Sequence, residues 1–304
     1  MIIPTRPSAE AKRARLRSVL HGDRCIMAAS TYDPLSARVA EDLDFEVGVL
    51  GGSAAALAVL GVPDITLITL TELAEQVRRI CRASDIPLLV DADHGYGNSL
   101  NVIRTVQELA DMGACGVSIE DTLLPRRFGS PEGGELISMD EGIGKLSAAV
   151  ATAAGSGIAV FGRTNALSTS SLDDAVQRLK AYEKSGVDAA FVPYVKTRAQ
   201  LDAIAAEITL PIILGGPAKE LVDTNYLASR RVRVCLMGHP TLGATAEALY
   251  SVGKEMAAGR ESGATVAMAS KATMNRLIRA DEYEQQNQQF LNPGQHLERT
   301  NHEN

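Results

Sequence analysis

Short runs of apolar residues recur along the chain. Each is followed by a longer stretch in which apolar positions return every three or four residues. The runs cover 25–29, 47–50, 87–90, 116–119, 159–162, 189–192, 211–214 and 232–237, and the longer stretches cover 33–43, 71–83, 101–112, 140–154, 171–185, 197–207 and 218–227. Continuous apolar runs of this length mark strands buried on both faces, and the longer period marks amphipathic helices. Their alternation predicts a parallel sheet, and eight units predict closure into an α/β architecture, a TIM (β/α)8 barrel, rather than an open doubly wound sheet. A helix is expected over 8–20, with Leu16, Val19 and Leu20 on one side, and further helices over 241–257, near 262–274 and over 281–290. Residues 1–290 read as one barrel domain with terminal helices, and 291–304 as a disordered polar tail.

Composition refines this picture in three places. With 5 Phe and no Trp, the core must be aliphatic. A net charge of −7 argues against nucleic acid as a partner, because phosphate binding needs a basic footprint. The basic residues crowded at the start (Arg6, Lys12, Arg13, Arg15, Arg17, Arg24) precede no apolar stretch, so they read as a solvated helix face rather than a signal peptide. No apolar run suits a membrane span. Cys25, Cys81, Cys115 and Cys235 form no Cys-x-x-Cys pair and read as reduced, small hydrophobes in a cytoplasmic protein.

In a parallel barrel the chemistry gathers where strands end. The third run ends in Asp91-Ala92-Asp93-His94-Gly95-Tyr96-Gly97. Residues two apart in a strand share a face, so Asp91 and Asp93 converge, and Glu120-Asp121 after the fourth run brings another acid. Carboxylates so close repel unless a cation lies among them, and oxygen donors suit Mg²⁺, with Mn²⁺ as the alternative. Helix capping or pairing with Arg explains any one of these acids; three at adjacent strand ends favour the metal. His94 reads as an exposed or hydrogen-bonded loop residue. Gly51-Gly52-Ser53 after the second run fits either an anion-binding nest or ordinary turn chemistry. Arg163, in Arg163-Thr164-Asn165, fits a substrate carboxylate or an ion pair with Glu120, and both can hold. His239 fits substrate binding, acid–base work or a packed supporting role. Asp64, after Pro63, reads as a turn residue.

Taken together, Asp91–Gly97, Glu120-Asp121 and Arg163-Thr164-Asn165, with Tyr32–Ala37 and Gly51-Gly52-Ser53, resemble the isocitrate lyase/phosphoenolpyruvate mutase superfamily. Within it the chain is most similar to the bacterial oxaloacetate decarboxylase branch, on 49–53, 91–98, 119–125 and Gly238-His239. The resemblance implies a Mg²⁺ site with Asp91 as direct ligand and Asp93, Glu120 and Asp64 holding metal waters. It implies substrate contacts from Tyr32, Gly51, Gly52, Ser53, Arg163 and His239, the last two being catalytic. It also implies a C-terminal helix swapped between subunits and a dimer of dimers. The superfamily's lyases carry a Lys-Lys/Arg-Cys-Gly-His segment after the fourth strand, and here the chain reads Leu124-Pro125-Arg126-Arg127-Phe128-Gly129. Without that Cys, a lyase of isocitrate type lacks its proton donor. The expected activity is therefore Mg²⁺-dependent decarboxylation of oxaloacetate, or of a 3-substituted oxaloacetate, with the loop 123–136 closing over the site. The alternative is a carbon–carbon lyase or hydrolase on another substituted 2-oxo or malate-type acid.

Overall fold

The computed structural model describes residues 6–131, 134–260 and 267–291; the tail expected over 291–304 lies, after its first residue, outside them. Nine parallel strand segments form one sheet: β1 (Ile26–Met27), β2 (Ala29–Ser30), β3 (Gly48–Leu50), β4 (Leu88–Asp91), β5 (Gly116–Glu120), β6 (Ala159–Arg163), β7 (Ala189–Pro193), β8 (Ile212–Gly215) and β9 (Val232–Leu236). Their spatial order is β1-β9-β8-β7-β6-β5-β4-β3-β2. The first predicted strand is split: β1 pairs with β9, and β2 pairs with β3. The break falls at Ala28, whose N–H donates to the Cys235 carbonyl while that of Ala29 donates to Val47. Because β1 and β2 are two halves of one stave, the pairing runs round the sheet and the barrel nearly closes, as the eightfold rhythm predicts.

The helices are α1 (Ala9–His21), α2 (Pro34–Asp42), α3 (Gly52–Leu60), α4 (Leu70–Ala83), α5 (Ser99–Asp111), α6 (Met139–Ala153), α7 (Ala166–Thr169), α8 (Leu172–Lys184), α9 (Arg198–Glu207), α10 (Thr224–Ser229), α11 (Pro240–Ala257), α12 (Lys271–Leu277) and α13 (Ala280–Phe290). The described residues divide into two compact units, Pro7–Gly243 and a smaller one from residue 244 onward. The smaller unit holds most of α11, then α12 and α13, and exposes Leu249, Tyr250, Met256 and Tyr283. Among the described residues no helix is long and apolar enough to cross a membrane.

Alternation along the strands sorts the side chains into two layers. Leu89, Phe161, Phe191, Ile213 and Val234 fill the barrel interior together with Leu16 and Leu20 from α1, which plugs its N-terminal end. Leu88, Val90, Val117, Ile119 and Val160 face outward against Val77, Val102, Val106 and Leu146 of the helices. Two basic residues of α1 correct the expectation of a solvated face, while Arg6, Arg15 and Arg24 are exposed as expected. Lys12 and Arg13 are buried. Lys12 Nζ donates to the carbonyls of Cys81 (3.1 Å) and Ser84 (2.7 Å), and Arg13 donates to those of Ala110 (2.5 Å), Ala114 (3.1 Å) and Ser156 (2.6 Å). Carbonyls at helix C-termini lack intrahelical donors, and these cations supply them. The residues 218–227 are not one helix: a short 3₁₀ turn at Lys219–Leu221 precedes α10, where the Asp223 side chain accepts from the N–H groups of Asn225 and Tyr226 and starts a new helix.

Candidate active site

Strand parity decides what reaches the C-terminal rim. Leu89 and Phe161 point inward, so Asp91 and Arg163, two residues further along their strands, point inward as well. Val117 and Ile119 point outward, so Glu120 points inward. The register confirms the grouping: Asp91 lies opposite Ser118, and Glu120 opposite Arg163. Arg163 Nη1 donates to Asp91 Oδ2 at 2.6 Å, and Ser118 Oγ donates to Asp91 Oδ1 at 3.1 Å. Arg163 Nη2 lies 2.8 Å from Glu120 Oε2, an ion-pair distance, yet that oxygen receives no well-aligned hydrogen bond. The guanidinium also stacks 5.3 Å from the Phe191 ring centre.

The segment after β4 is tightly folded. Asp93 (φ 47°) and Tyr96 (φ 60°) hold left-handed backbone conformations that side chains rarely adopt. Hydrogen bonds from Glu120 N to Asp93 O (2.8 Å) and from Thr105 Oγ1 to Gly95 O (3.1 Å) hold the turn in place. The turn brings the buried Asp93 back over α3. A Cβ placed on Gly52 would lie 2.9 Å from Asp93 Oδ1 and 3.6 Å from Asp64 Oδ1, and one on Gly51 would lie 2.4 Å from His239 Nε2. Gly51 and Gly52 are therefore glycines because two site residues press on the start of α3. That helix has no side-chain cap, and Ser53 in its first turn is exposed. Unpaired N–H groups at a helix start favour an anion.

The electrostatics are unbalanced. Burial first, then Asp91, Glu120 and Asp64, push the Asp93 carboxyl up to about 8. Burial raises Glu120 as well, against the pull of Arg163. Asp64 is exposed as a residue, but its carboxyl faces the mouth, where partial burial and then Asp91 raise it. Arg163 is held firmly charged, because the attraction of Asp91 and Glu120 outweighs its burial. Burial lowers His239, which favours the neutral ring; its Nδ1 lies 2.6 Å from Ser30 Oγ.

Of the residues expected at the site, Asp64, Asp91, Asp93, Glu120, Arg163, His239, Gly51, Gly52 and Ser53 line this one rim. Tyr32 is buried in the apolar cluster with Leu50 and Ala54, and its carbonyl accepts from Gln76. His94 is neither exposed nor hydrogen-bonded. It is buried, its Nδ1 has no partner, and burial followed by nearby Lys145 lowers it to about 4. The tight turn that exposes Asp93 to the mouth drives the next side chain inward. Asp121, beside Glu120, faces the helices, where Arg178 and Tyr182 meet it; parity foreshadows that orientation, but the partners lie more than fifty residues away in sequence. The cysteines are unpaired, three of them buried.

A divalent cation can be tested against these donors. Among the described residues, no three His, Cys, Asp or Glu side chains gather closely enough to ligate an ion entirely by themselves. Four carboxyls nevertheless surround a mouth in which, among the described residues, Arg163 is the guanidinium paired with them, and burial followed by the neighbouring acids raises the Asp93 carboxyl. Mg²⁺ keeps several waters and takes few protein oxygens directly. The set is compatible with such an ion.

The family model described as phosphoenolpyruvate phosphomutase matches residues 16–257. The chain is 52% identical over 281 residues to an oxaloacetate decarboxylase of Rhodopseudomonas palustris (strain BisB18), covering 92% of this chain and 97% of that protein. It is 51% identical over 284 residues to an oxaloacetate decarboxylase of Bradyrhizobium sp. (strain BTAi1 / ATCC BAA-1182), covering 93% and 98%. The solved structure of a phosphonopyruvate hydrolase in complex with oxalate and Mg²⁺ matches with a TM-score of 0.82 at 26% identity, covering 92% of this chain and 99% of that one.

Proposed function

The chain belongs to the phosphoenolpyruvate phosphomutase family, and on that premise we propose that it is a Mg²⁺-dependent carboxy-lyase converting oxaloacetate to pyruvate and CO₂, or a 3-substituted oxaloacetate to the matching 3-substituted pyruvate and CO₂. The observation that carries this reading is the excess of carboxylates over cations at the rim, with Arg163 bridging Asp91 and Glu120. Asp91 would hold the ion directly, and Asp93, Glu120 and Asp64 through water. When bound, Mg²⁺ supplies Lewis-acid stabilisation of charge developing on the keto oxygen of the substrate.

The remaining work falls to the chain itself. Arg163 offers a planar fork to a substrate carboxylate. The N–H groups opening α3, with Ser53, offer donors to a developing oxyanion. His239, neutral and fixed by Ser30, orients substrate through Nε2. Cleavage of the C3–C4 bond leaves its electron pair in an enolate and releases CO₂, and a proton taken up at C3 completes pyruvate. Bond breaking needs no general acid, which agrees with a loop that has no Cys between Asp121 and Leu136.

We read the protein as cytoplasmic and as a homotetramer built as a dimer of dimers with a C-terminal helix exchanged between subunits; the exposed apolar residues of α11 and α13 support an oligomer. The function is tested by following pyruvate and CO₂ from oxaloacetate with Mg²⁺, with EDTA, and with Mg²⁺ restored. Turnover with the first and last only is expected. No metal-dependent release above the spontaneous rate would remove the reading, and a parallel panel of substituted malates would then test carbon–carbon cleavage.

A further inference from the structure

Asp121 follows Glu120, the last residue of β5, and points the opposite way, away from the mouth and into the helix layer. It is buried. Its carboxylate nevertheless accepts four hydrogen bonds. Oδ2 accepts from Thr164 Oγ1 (2.7 Å), Tyr182 OH (2.8 Å) and Arg178 Nη1 (3.2 Å), and Oδ1 accepts from the backbone N–H of Asn165 (3.2 Å). Two of these donors belong to the residues immediately after Arg163.

The connection to Arg163 continues through Asn165. With its backbone N–H fixed by Asp121, the Asn165 side chain spans two partners: Nδ2 donates to Thr122 Oγ1 at 2.6 Å, and Oδ1 accepts from Arg163 Nε at 3.5 Å. Thr164 Oγ1 also accepts from Ala166 N at 3.2 Å, which sets the turn into α7. A guanidinium on a long side chain has no preferred direction of its own, and an error of about 1 Å in a positioned group can cost on the order of a hundredfold in rate. From this arrangement we infer that Asp121 is a positioning residue: by gripping Thr164 and Asn165 from behind the sheet, it aims Arg163 into the mouth. It touches no substrate.

The inference rests on the proposed role of Arg163 in holding a carboxylate, and its test separates the two. In the first arm, crystals of Thr164→Val and Asp121→Asn are compared with the wild-type chain. Arg163 is expected to leave Asp91 and Glu120 in both variants. In the second arm, calorimetry measures oxalate binding in Mg²⁺. Thr164→Val, which keeps the shape and loses the hydroxyl, is expected to weaken oxalate about tenfold, equivalent to one lost hydrogen bond of about 1.4 kcal/mol. Thr164→Ser should bind as wild type. Tyr182→Phe removes a donor to Asp121 on the far side; it should lower the melting temperature and leave oxalate binding within twofold. If Asp121→Asn does not fold, Thr164→Val and its Ser rescue carry both arms. An unmoved Arg163 in Thr164→Val, or equal losses of oxalate affinity in Thr164→Val and Tyr182→Phe, overturns the inference. If the wild-type chain releases no CO₂ from oxaloacetate, the decarboxylase reading falls while the crystallographic arm still decides this one.

Discussion

Glu120 and Asp121 are adjacent in the chain, both buried and both acidic, yet their surroundings are opposite in kind. Asp121 accepts four hydrogen bonds and lies 3.2 Å from Arg178. Glu120 has Arg163 beside it and one oxygen without a hydrogen bond, and it shares the mouth with Asp91 and Asp93. A buried carboxylate with a full set of donors holds structure together; one left short of donors stores unfavourable charge that a ligand can relieve. The sheet therefore separates a satisfied layer from a frustrated one within a single peptide step, and the frustrated side is where chemistry is expected.

This contrast can be broken from the mouth inward. The largest effect is expected for Asp91→Ala, which should reduce oxaloacetate turnover by about a thousandfold or more, roughly 4 kcal/mol of transition-state stabilisation. Its melting temperature should hold, and a variant equally inactive and unfolded would contradict the division. Asp121→Ala should differ in losing stability as well as the aim of Arg163. Removing one member of a buried pair leaves Arg178 with Asp174 as its remaining acidic partner and strips Thr164 and Tyr182 of a buried acceptor, which should cost about 3 kcal/mol of stability, measurable by urea unfolding. Glu120→Gln should lower kcat/KM by roughly tenfold to a hundredfold, as expected for loss of one electrostatic group at a reacting centre, while leaving the metal-free protein as stable or more so. A clear loss of stability there would place Glu120 in the satisfied layer after all.

A smaller, pH-dependent effect follows from Asp93, which is pushed up to about 8 by burial and by its acidic neighbours. Its folded pKa exceeds the unfolded value of about 4, so between those limits the folded chain binds more protons than the unfolded one. Stability of the metal-free protein should then fall as pH rises through that window and level off above it. Melting curves in EDTA should show the slope in the wild type and a shallower one in Asp93→Asn; identical slopes would refute this placement of Asp93. The smallest effect is expected for Ser118→Ala, which removes one donor to Asp91 and should change turnover by less than about tenfold.

Much of this contrast is legible in the amino-acid order. Apolar runs place the strands, the rule of two brings Asp91, Glu120 and Arg163 to one rim, and the same rule turns Asp121 away. The sequence is silent where a feature depends on distant partners or on a missing pattern. The four donors to Asp121 come from the two residues after β6 and from α8 and cannot be inferred from its neighbours in the chain. Helix α3 escapes detection because Gly52–Leu60 is apolar on all sides, with Ala54, Ala55 and Ala56 buried, and so shows no amphipathic stripe. Lys12 and Arg13 look like surface charge because nothing local reveals that helix ends stand above them. The split of the first strand at Ala28 follows from barrel closure, which no local pattern encodes.

On the proposed function, a divalent cation relieves the frustrated rim. Anomalous diffraction from crystals soaked in Mn²⁺ and oxalate tests it most directly. A peak is expected in direct contact with the Asp91 carboxylate, with Asp93 and Glu120 reaching the ion through water. A fully occupied metal elsewhere in the protein, with Asp91 still bound only to Arg163 and Ser118, would contradict it.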